Sequence, residues 1–174
     1  MPTNLTTMVT MIGNDGLEVR TSLAALKQSI TLKTMLEDLE EDKTTDLPIP
    51  VPGVDGKTLK KIVEWCEYHR NDPVSEFQGQ PDSEIDLNKL RKSPIPEWDA
   101  KFLAVDRELI FKLANAANYL EITLLLKYTI LAISKKLESM STEQMRKYLN
   151  ISNDYSKEEE AALRATHAWA FDGQ

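Results

Sequence analysis

The first twenty residues show the pattern of a β-hairpin. A β-favourable run, Thr6–Ile12, precedes the turn-forming sequence Gly13–Gly16, and Leu17–Arg20 then alternates apolar with polar residues. Alternation with a period of two is typical of a half-buried strand, and Gly, Asn and Asp are the residues of tight turns. The pattern therefore predicts two antiparallel strands joined by a four-residue connection.

Helical periodicity replaces this alternation after the hairpin. Apolar residues recur at i, i+3, i+4 and i+7 from Leu32 to Leu39, and Ser29 is placed to cap the start of a helix. The acidic run Glu37–Asp42 is explained by a solvated helix surface. Prolines alternate in Pro48–Pro52. Because each proline lacks a backbone donor, this segment is predicted to form at most a short edge strand.

A second helix and a long insert come next. Helical periodicity over Asp55–Arg70 is carried by Leu59, Ile62, Val63 and Cys66. The segment 71–94 has no apolar period and is rich in Pro, Asp, Ser, Gln and Gly. A loop of this length inside a compact domain is typically functional or disordered. We therefore predict a mobile insert.

The rest of the chain is predicted to be almost entirely helical from Asp106. A wide apolar stripe comes first and a second apolar run follows over Leu124–Leu137. Two capping boxes, Ser141 with Gln144 and Ser156 with Glu159, start two further short helices. The stripe consists of Leu109, Ile110, Leu113, Ala116, Ala117 and Leu120. The fold class predicted from these patterns is mixed α/β with a C-terminal helical extension.

Composition and charge narrow the classes of partner. The 174 residues carry a formal net charge of −7, which argues against a nucleic-acid backbone as the main partner because phosphate binding needs clustered Lys and Arg. The most apolar stretch, Ile122–Ile133, contains Lys127 and is too short for a transmembrane helix. The N-terminus has no secretion signal. We expect no membrane partner, and an intracellular protein that binds other proteins.

Few residues offer catalytic or metal-binding chemistry. One cysteine excludes an internal disulfide, and with two histidines it does not make a typical zinc site. Cys66 and His69 share a helix at i, i+3, but Cys66 lies on the apolar stripe, so it is interpreted as a buried structural cysteine. His167 has no second candidate ligand near it. No glycine-rich phosphate loop occurs. We expect no catalytic residue, metal or cofactor.

The aromatic residues near the C-terminus leave two interpretations open. Trp169 and Phe171 follow an alanine-rich helix that is too short to be stable by propensity alone. These side chains either dock on the body of the protein or form part of a patch that binds a partner.

One further set of segments runs through nearly the whole chain in one order. It consists of Leu26–Leu39, Leu59–Cys66, Asn71–Pro73, Ile95–Asp99, Phe102–Asp106, Ala116–Ile122 and Asn150–Glu160. These segments resemble one known family, the Skp adaptors, which link F-box proteins to cullin in SCF ubiquitin ligases.

The resemblance implies a BTB/POZ-like α/β (α+β) fold over residues 1–126, with the insert at 71–94, and an F-box-binding helical extension over 127–174. It implies that Asn118 and Tyr119 face a cullin N-terminal domain. It also implies that the protein is found in the cytoplasm and the nucleus. It also implies an F-box-binding surface with an apolar floor and tail residues: Ile110, Phe111, Leu126, Ile133, Met145, Tyr148, Leu149, Ile151, Tyr155, Leu163 and Trp169.

The chain departs from the family pattern at several positions. The family usually has an acid and two larger aliphatic residues where this chain has Lys112, Ala114 and Asn115. Smaller side chains there would remove apolar contact, about 1–2 kcal/mol if they touch the F-box. Further departures are Lys127, Thr142, Thr166, His167 and Ala170. We interpret the chain as a divergent paralogue with an altered F-box repertoire.

Other functions are weighed beside the adaptor. The same apolar surface could pair with a second copy of the chain or with a non-F-box partner in a structural scaffold. An elongin-C-like adaptor is a weaker alternative, because that relative lacks the helical tail. An enzyme is the most distant alternative.

Overall fold

The computed structural model describes residues 7–41, 48–73 and 94–167, with the side chains of 38–41 left out. Within these residues it contains three strands, a 3-10 helix and seven α-helices. Their bounds are β1 Met8–Gly13, β2 Glu18–Ser22, the 3-10 helix Ala25–Gln28, α1 Ile30–Glu41, β3 Ile49–Val51, α2 Gly56–Tyr68, α3 Glu97–Phe102, α4 Arg107–Tyr119, α5 Thr123–Leu137, α6 Thr142–Leu149 and α7 Lys157–Thr166.

The strands form one small sheet in the order β2-β1-β3. β1 and β2 are antiparallel, with Met8 opposite Ser22, which confirms the predicted hairpin. β3 pairs parallel to β1, with Met11 opposite Ile49, and lies at the edge of the sheet. The expected edge strand is therefore present, and Pro50 is tolerated because an edge strand has one unpaired side.

The hairpin turn is joined closely to the start of α2. The Asp15 carboxylate accepts a hydrogen bond from the Gly56 backbone N–H at 3.0 Å. A Cβ atom on Gly56 would lie 2.4 Å from the Cβ of Leu17, so this junction requires glycine. The turn itself uses Gly16 at a φ of 79°. These contacts hold the sheet against the first turn of α2.

Helices α1 and α2 begin at capping residues. Ser29 Oγ accepts from the Leu32 N–H at 3.1 Å, which confirms the predicted cap of α1. Asp55 caps α2 by accepting from the Thr58 N–H at 3.0 Å. The predicted apolar stripe of α2 is buried: Leu59, Ile62, Val63 and Cys66 all belong to the core. This also confirms the interpretation of Cys66 as a buried residue, and burial raises the pKa of its thiol to about 12.

A buried polar cluster, which the sequence patterns missed, joins α2 to α3. Asp99 is 1% exposed, and its Oδ1 accepts from the Trp65 indole N–H at 2.7 Å. His69 bridges two carboxylates, with Nε2 3.1 Å from Asp99 Oδ1 and Nδ1 2.6 Å from Asp72 Oδ2. His69 thus bonds to these acids rather than serving as a partner of Cys66. Burial by itself lowers the pKa of His69, but hydrogen bonds and charges of Asp99 and Asp72 raise it above the ordinary 6.5.

Stability is expected to depend on the protonation of His69. Because the folded state raises the pKa of His69, the protonated imidazole contributes stability that is fully present below pH 6.5 and is lost as the pH rises through the raised value. Chemical denaturation at several pH values should show the free energy of unfolding falling across this window. Asp99→Asn is the control: it removes one of the two charges and should flatten the slope. An equally steep slope in Asp99→Asn would contradict this assignment.

The chain divides into two compact units, residues 1–136 and 137–174. The domain boundary at 126/127, which the resemblance implied, stays a prediction. In the second unit both predicted capping boxes are present, at Ser141 and Ser156. Helices α6 and α7 are joined by ion pairs, among them Arg164 to Glu143 at 3.1 Å. Neither helix has a buried residue. Exposed ion pairs contribute little stability. The described part of this unit therefore has little core of its own, because its two helices bury no residue.

Candidate protein-interaction surfaces

The first candidate surface lies where α4 ends, and we call Asn118, Tyr119 and Glu121 the α4-end surface. Asn118 is the penultimate residue of α4 and Tyr119 the last. All three residues are exposed, and Tyr119 is 41% exposed although it is a large aromatic residue. A tyrosine offers apolar area and a hydroxyl together, which suits a protein interface.

Tertiary contacts hold Tyr119 in place. A Cβ on Gly53 would lie 2.9 Å from ring atoms of Tyr119, so the ring packs directly on the backbone between β3 and α2. The Thr31 hydroxyl donates to the Tyr119 carbonyl at 3.4 Å, and the Ser29 hydroxyl donates to the Leu120 carbonyl. Segments from α1, the β3–α2 loop and α4 therefore meet here and present the ring in a fixed position.

The chain leaves α4 through a left-handed residue. Glu121 has a φ of 51°, and its N–H donates to the Asn118 carbonyl at 3.1 Å. The N–H of the buried Ile122 donates to the Ala117 carbonyl at 2.8 Å. These two bonds are those of a Schellman motif, in which glycine is usual. A glutamate in this conformation costs about 1–2 kcal/mol.

The second candidate surface is an apolar stripe on α5. The predicted F-box-binding residues also include Phe111 of α4. Leu126 and Ile133 are half-buried, as is Phe111. The pattern analysis missed Ile130, which is 48% exposed and falls between them at i+4 from Leu126 and i−3 from Ile133. That spacing alone would have identified it. Ile110, in contrast, is buried at 6% exposure and offers a partner little surface as the structure stands.

The third candidate surface is apolar and belongs to the second unit. Four of the predicted tail residues are exposed, Ile151 and Tyr155 most of all at 56% and 50%. Met145 and Tyr148 are half-buried on α6. Trp169 lies outside the described residues, as do residues 74–93 of the predicted insert. The other exposed members are Leu149 and Leu163. Large apolar side chains left in water on a unit with little core are typical of a binding surface.

Comparison with known proteins identifies the family. Residues 7–71 match the model described as the Skp1 family tetramerisation domain, and residues 123–170 match the Skp1 family dimerisation domain. The chain is 38% identical over 170 residues to the E3 ubiquitin ligase complex SCF subunit sconC of Arthroderma benhamiae, covering 98% of this chain and 99% of that protein.

The chain belongs to the Skp1 family. A second relative, the SCF subunit sconC of Talaromyces marneffei, is 38% identical over 164 residues, covering 94% of this chain and 97% of that protein. The resemblance inferred from the sequence is thus confirmed. The BTB/POZ-like fold with helices after it is confirmed as well. The roles of the individual surface residues stay predictions.

One departure from the family pattern has a local structural account. Lys112 Nζ lies 3.0 Å from Glu108 Oε1 and 3.6 Å from Asp55 Oδ2, so it pairs within α4 and with the cap of α2. Asn115 is exposed and Ala114 is half-buried. Relative to the usual acid, Lys112 therefore exchanges a repulsion from Asp55 and Glu108 for an attraction.

No group of three or more His, Cys, Asp or Glu that could hold a metal ion occurs among the described residues. In the same part of the chain, no helix has the length and apolar character needed to cross a bilayer.

Proposed function

We propose that this Skp1-family chain is a non-catalytic adaptor that joins F-box proteins to a cullin scaffold in an SCF-type E3 ubiquitin ligase. The observation that carries the proposal is the match to SCF subunits over 94–98% of the chain. The surfaces that the structure describes fit such a role, because they present exposed aromatic and apolar residues, Tyr119, Ile151 and Tyr155 among them.

The α4-end surface would bind the cullin N-terminal domain. Tyr119 supports this assignment because it is a large side chain, 41% exposed, whose ring is fixed on Gly53 before any partner arrives. A side chain that is already ordered loses little entropy on binding, which favours affinity. Asn118 beside it supplies a polar group for the hydrogen bonds that surround an aromatic anchor.

The α5 stripe and the tail surface would bind the F-box. Ile130 and Ile133 leave apolar area in water on α5 that a partner can cover. Ile151 and Tyr155 leave a second such area in the tail. Phe111, which is half-buried, and the exposed Tyr119 are eight residues apart on α4, about 12 Å along its axis. The first unit therefore has room for two partners at separate positions.

An adaptor of this kind would act by holding its two partners close to each other. Holding an F-box protein and a cullin on one small chain raises the effective concentration of the recognised substrate near the ubiquitin-transfer machinery. The one cysteine is buried and its thiol has a pKa of about 12, so it does not supply a reactive thiolate near neutral pH.

The direct test is reconstitution. The full chain is mixed with a cullin N-terminal domain and an F-box protein, and the complexes are measured by size-exclusion chromatography with light scattering. A complex with one copy of each supports the adaptor. Cullin binding without F-box binding would support the altered F-box repertoire. Binding of neither partner, together with a dimer of the chain, would overturn the adaptor in favour of the structural scaffold.

Gly53 offers a test of how the Tyr119 ring is positioned. In Gly53→Ala the new Cβ would lie 2.9 Å from the ring, so the ring must move. We expect a loss of about 5- to 20-fold in cullin affinity, or roughly 1–2 kcal/mol, by isothermal titration calorimetry. F-box affinity should be unchanged. The control is Lys60→Ala, a substitution at an exposed position on α2. Gly16→Ala is not suitable as a control, because Gly16 has a positive φ that alanine adopts only with strain. Full cullin affinity in Gly53→Ala would show that the ring position is unimportant.

A further inference from the structure

Glu121, the residue after the C-cap of α4, is unfavourable at its position for two independent reasons. Glu121 has a φ of 51°, a conformation that glycine adopts far more readily. It also places a carboxylate beside the carbonyl end of a helix, where the helix dipole is negative and favours cations. Local stability therefore disfavours glutamate at this position.

A second helix of the chain ends in the same left-handed backbone conformation, but with a different residue. Helix α6 ends at Asn150, which has a φ of 57°, and the N–H of Ile151 donates to the Arg146 carbonyl at 2.8 Å. Asparagine tolerates the left-handed conformation, and it is uncharged. The matching geometry at Asn150 and Glu121 shows that the turn alone does not require an acid.

No bond within the described chain accounts for the Glu121 carboxylate. The side chain is exposed, and among the described residues it makes neither a hydrogen bond nor an ion pair. Glu121 is held in position by its backbone, through the bond from its N–H to the Asn118 carbonyl. A rigid backbone thus presents a free carboxylate two residues after Tyr119.

We propose that Glu121 takes part in partner recognition at the α4-end surface. Its carboxylate forms a salt bridge with a basic side chain of the cullin. This inference rests on the proposed function. A partner cation would be attracted both by the carboxylate and by the negative end of the α4 dipole. The two features that make Glu121 unfavourable in the free chain are then the features that favour the complex.

Three variants of the full chain separate the carboxylate from the backbone. Glu121→Gln keeps the backbone problem and removes the charge. Glu121→Gly removes both. Asn150→Gly is the matched control, with the same kind of backbone relief at the end of α6. Each variant is measured for cullin affinity at 50 and 500 mM salt, for F-box affinity and for thermal unfolding.

The expected result is a divergence between stability and binding. Glu121→Gly should raise the melting temperature by about 2–4 °C while weakening cullin binding about three- to tenfold. Glu121→Gln should weaken binding to a similar extent, and in both variants the salt dependence of cullin affinity should be shallower than in the wild type. Asn150→Gly should leave cullin affinity unchanged.

Two results would overturn the inference. One is wild-type cullin affinity and salt dependence in both Glu121 variants. If a further variant, Tyr119→Lys, which removes the exposed aromatic ring, loses cullin binding in the same assay, the adaptor function stays intact. The other is a melting temperature lowered by Glu121→Gly, which would mean that the glutamate serves the fold. Loss of the adaptor function itself is distinguishable, because cullin would then fail to bind the wild type.

Discussion

Replacing Tyr119 with lysine should weaken binding to the cullin N-terminal domain by at least about 100-fold and leave F-box binding unchanged. Tyrosine anchors at interface centres commonly contribute more than 2 kcal/mol, and this ring is both exposed and packed on Gly53. Lysine removes the aromatic area and adds a mobile charge that must be desolvated. Because Tyr119 is at the end of α4 and outside the buried core, the fold should persist. Isothermal titration calorimetry measures the affinity, and circular dichroism checks the fold.

The matched control is Tyr155→Lys, the same substitution at a tyrosine that is 50% exposed in the tail. It should weaken F-box binding and leave cullin affinity unchanged, the reverse of Tyr119→Lys. If both variants lost the same partner, the two surfaces would not be separate. If Tyr119→Lys bound cullin as the wild type does, the assignment of the α4-end surface would be wrong.

Replacing Asp99 with alanine should destabilise the chain by about 3–5 kcal/mol. The carboxylate is 1% exposed and joins α2 to α3 by accepting from the Trp65 indole N–H and pairing with His69. Alanine would leave a buried indole donor without its acceptor and a buried imidazole with one of its two carboxylates. Urea denaturation of the full chain, followed by tryptophan fluorescence and circular dichroism, measures the loss.

Asp72→Ala is the control for this prediction, since Asp72 bonds to the same imidazole from the surface. Its carboxylate is 53% exposed and lies 2.6 Å from His69 Nδ1, so its loss should cost less than about 1 kcal/mol. Asp99→Asn should fall between the two variants, because the amide oxygen can still accept from Trp65. Equal losses in Asp72→Ala and Asp99→Ala would mean that burial does not decide the contribution.

Local features of this chain were predictable from the sequence because they depend on neighbours in the chain. Ser29, Ser141 and Ser156 cap helices within three residues of themselves, and each cap is confirmed. The hairpin and the edge strand at Ile49–Val51 also followed from turn residues and proline positions. Apolar periodicity identified the buried faces of α2 and α4 for the same reason.

The polar contacts between residues far apart in the chain were not predicted from the sequence patterns. Asp99 looks like any surface acid near a helix start, and only the position of α3 beside α2 brings it to Trp65, 34 residues earlier. His69 was interpreted beside Cys66, whereas the fold turns it toward Asp72 and Asp99. Apolar patterns do not report such pairs, since hydrogen-bond partners depend on where separate elements pack.

The sequence by itself therefore determined the family, the order of the elements, their caps and the apolar faces, all of which are encoded in short-range periodicity and recognisable segments. Tertiary structure alone decided which exposed residues are fixed in position and which predicted ones are buried. Tyr119 is positioned by Gly53, 66 residues away, and by the Thr31 hydroxyl of α1, while Ile110, predicted in the apolar floor of the F-box surface, is buried. The physical reason is that burial and close packing arise from contacts between distant segments, which no local pattern contains.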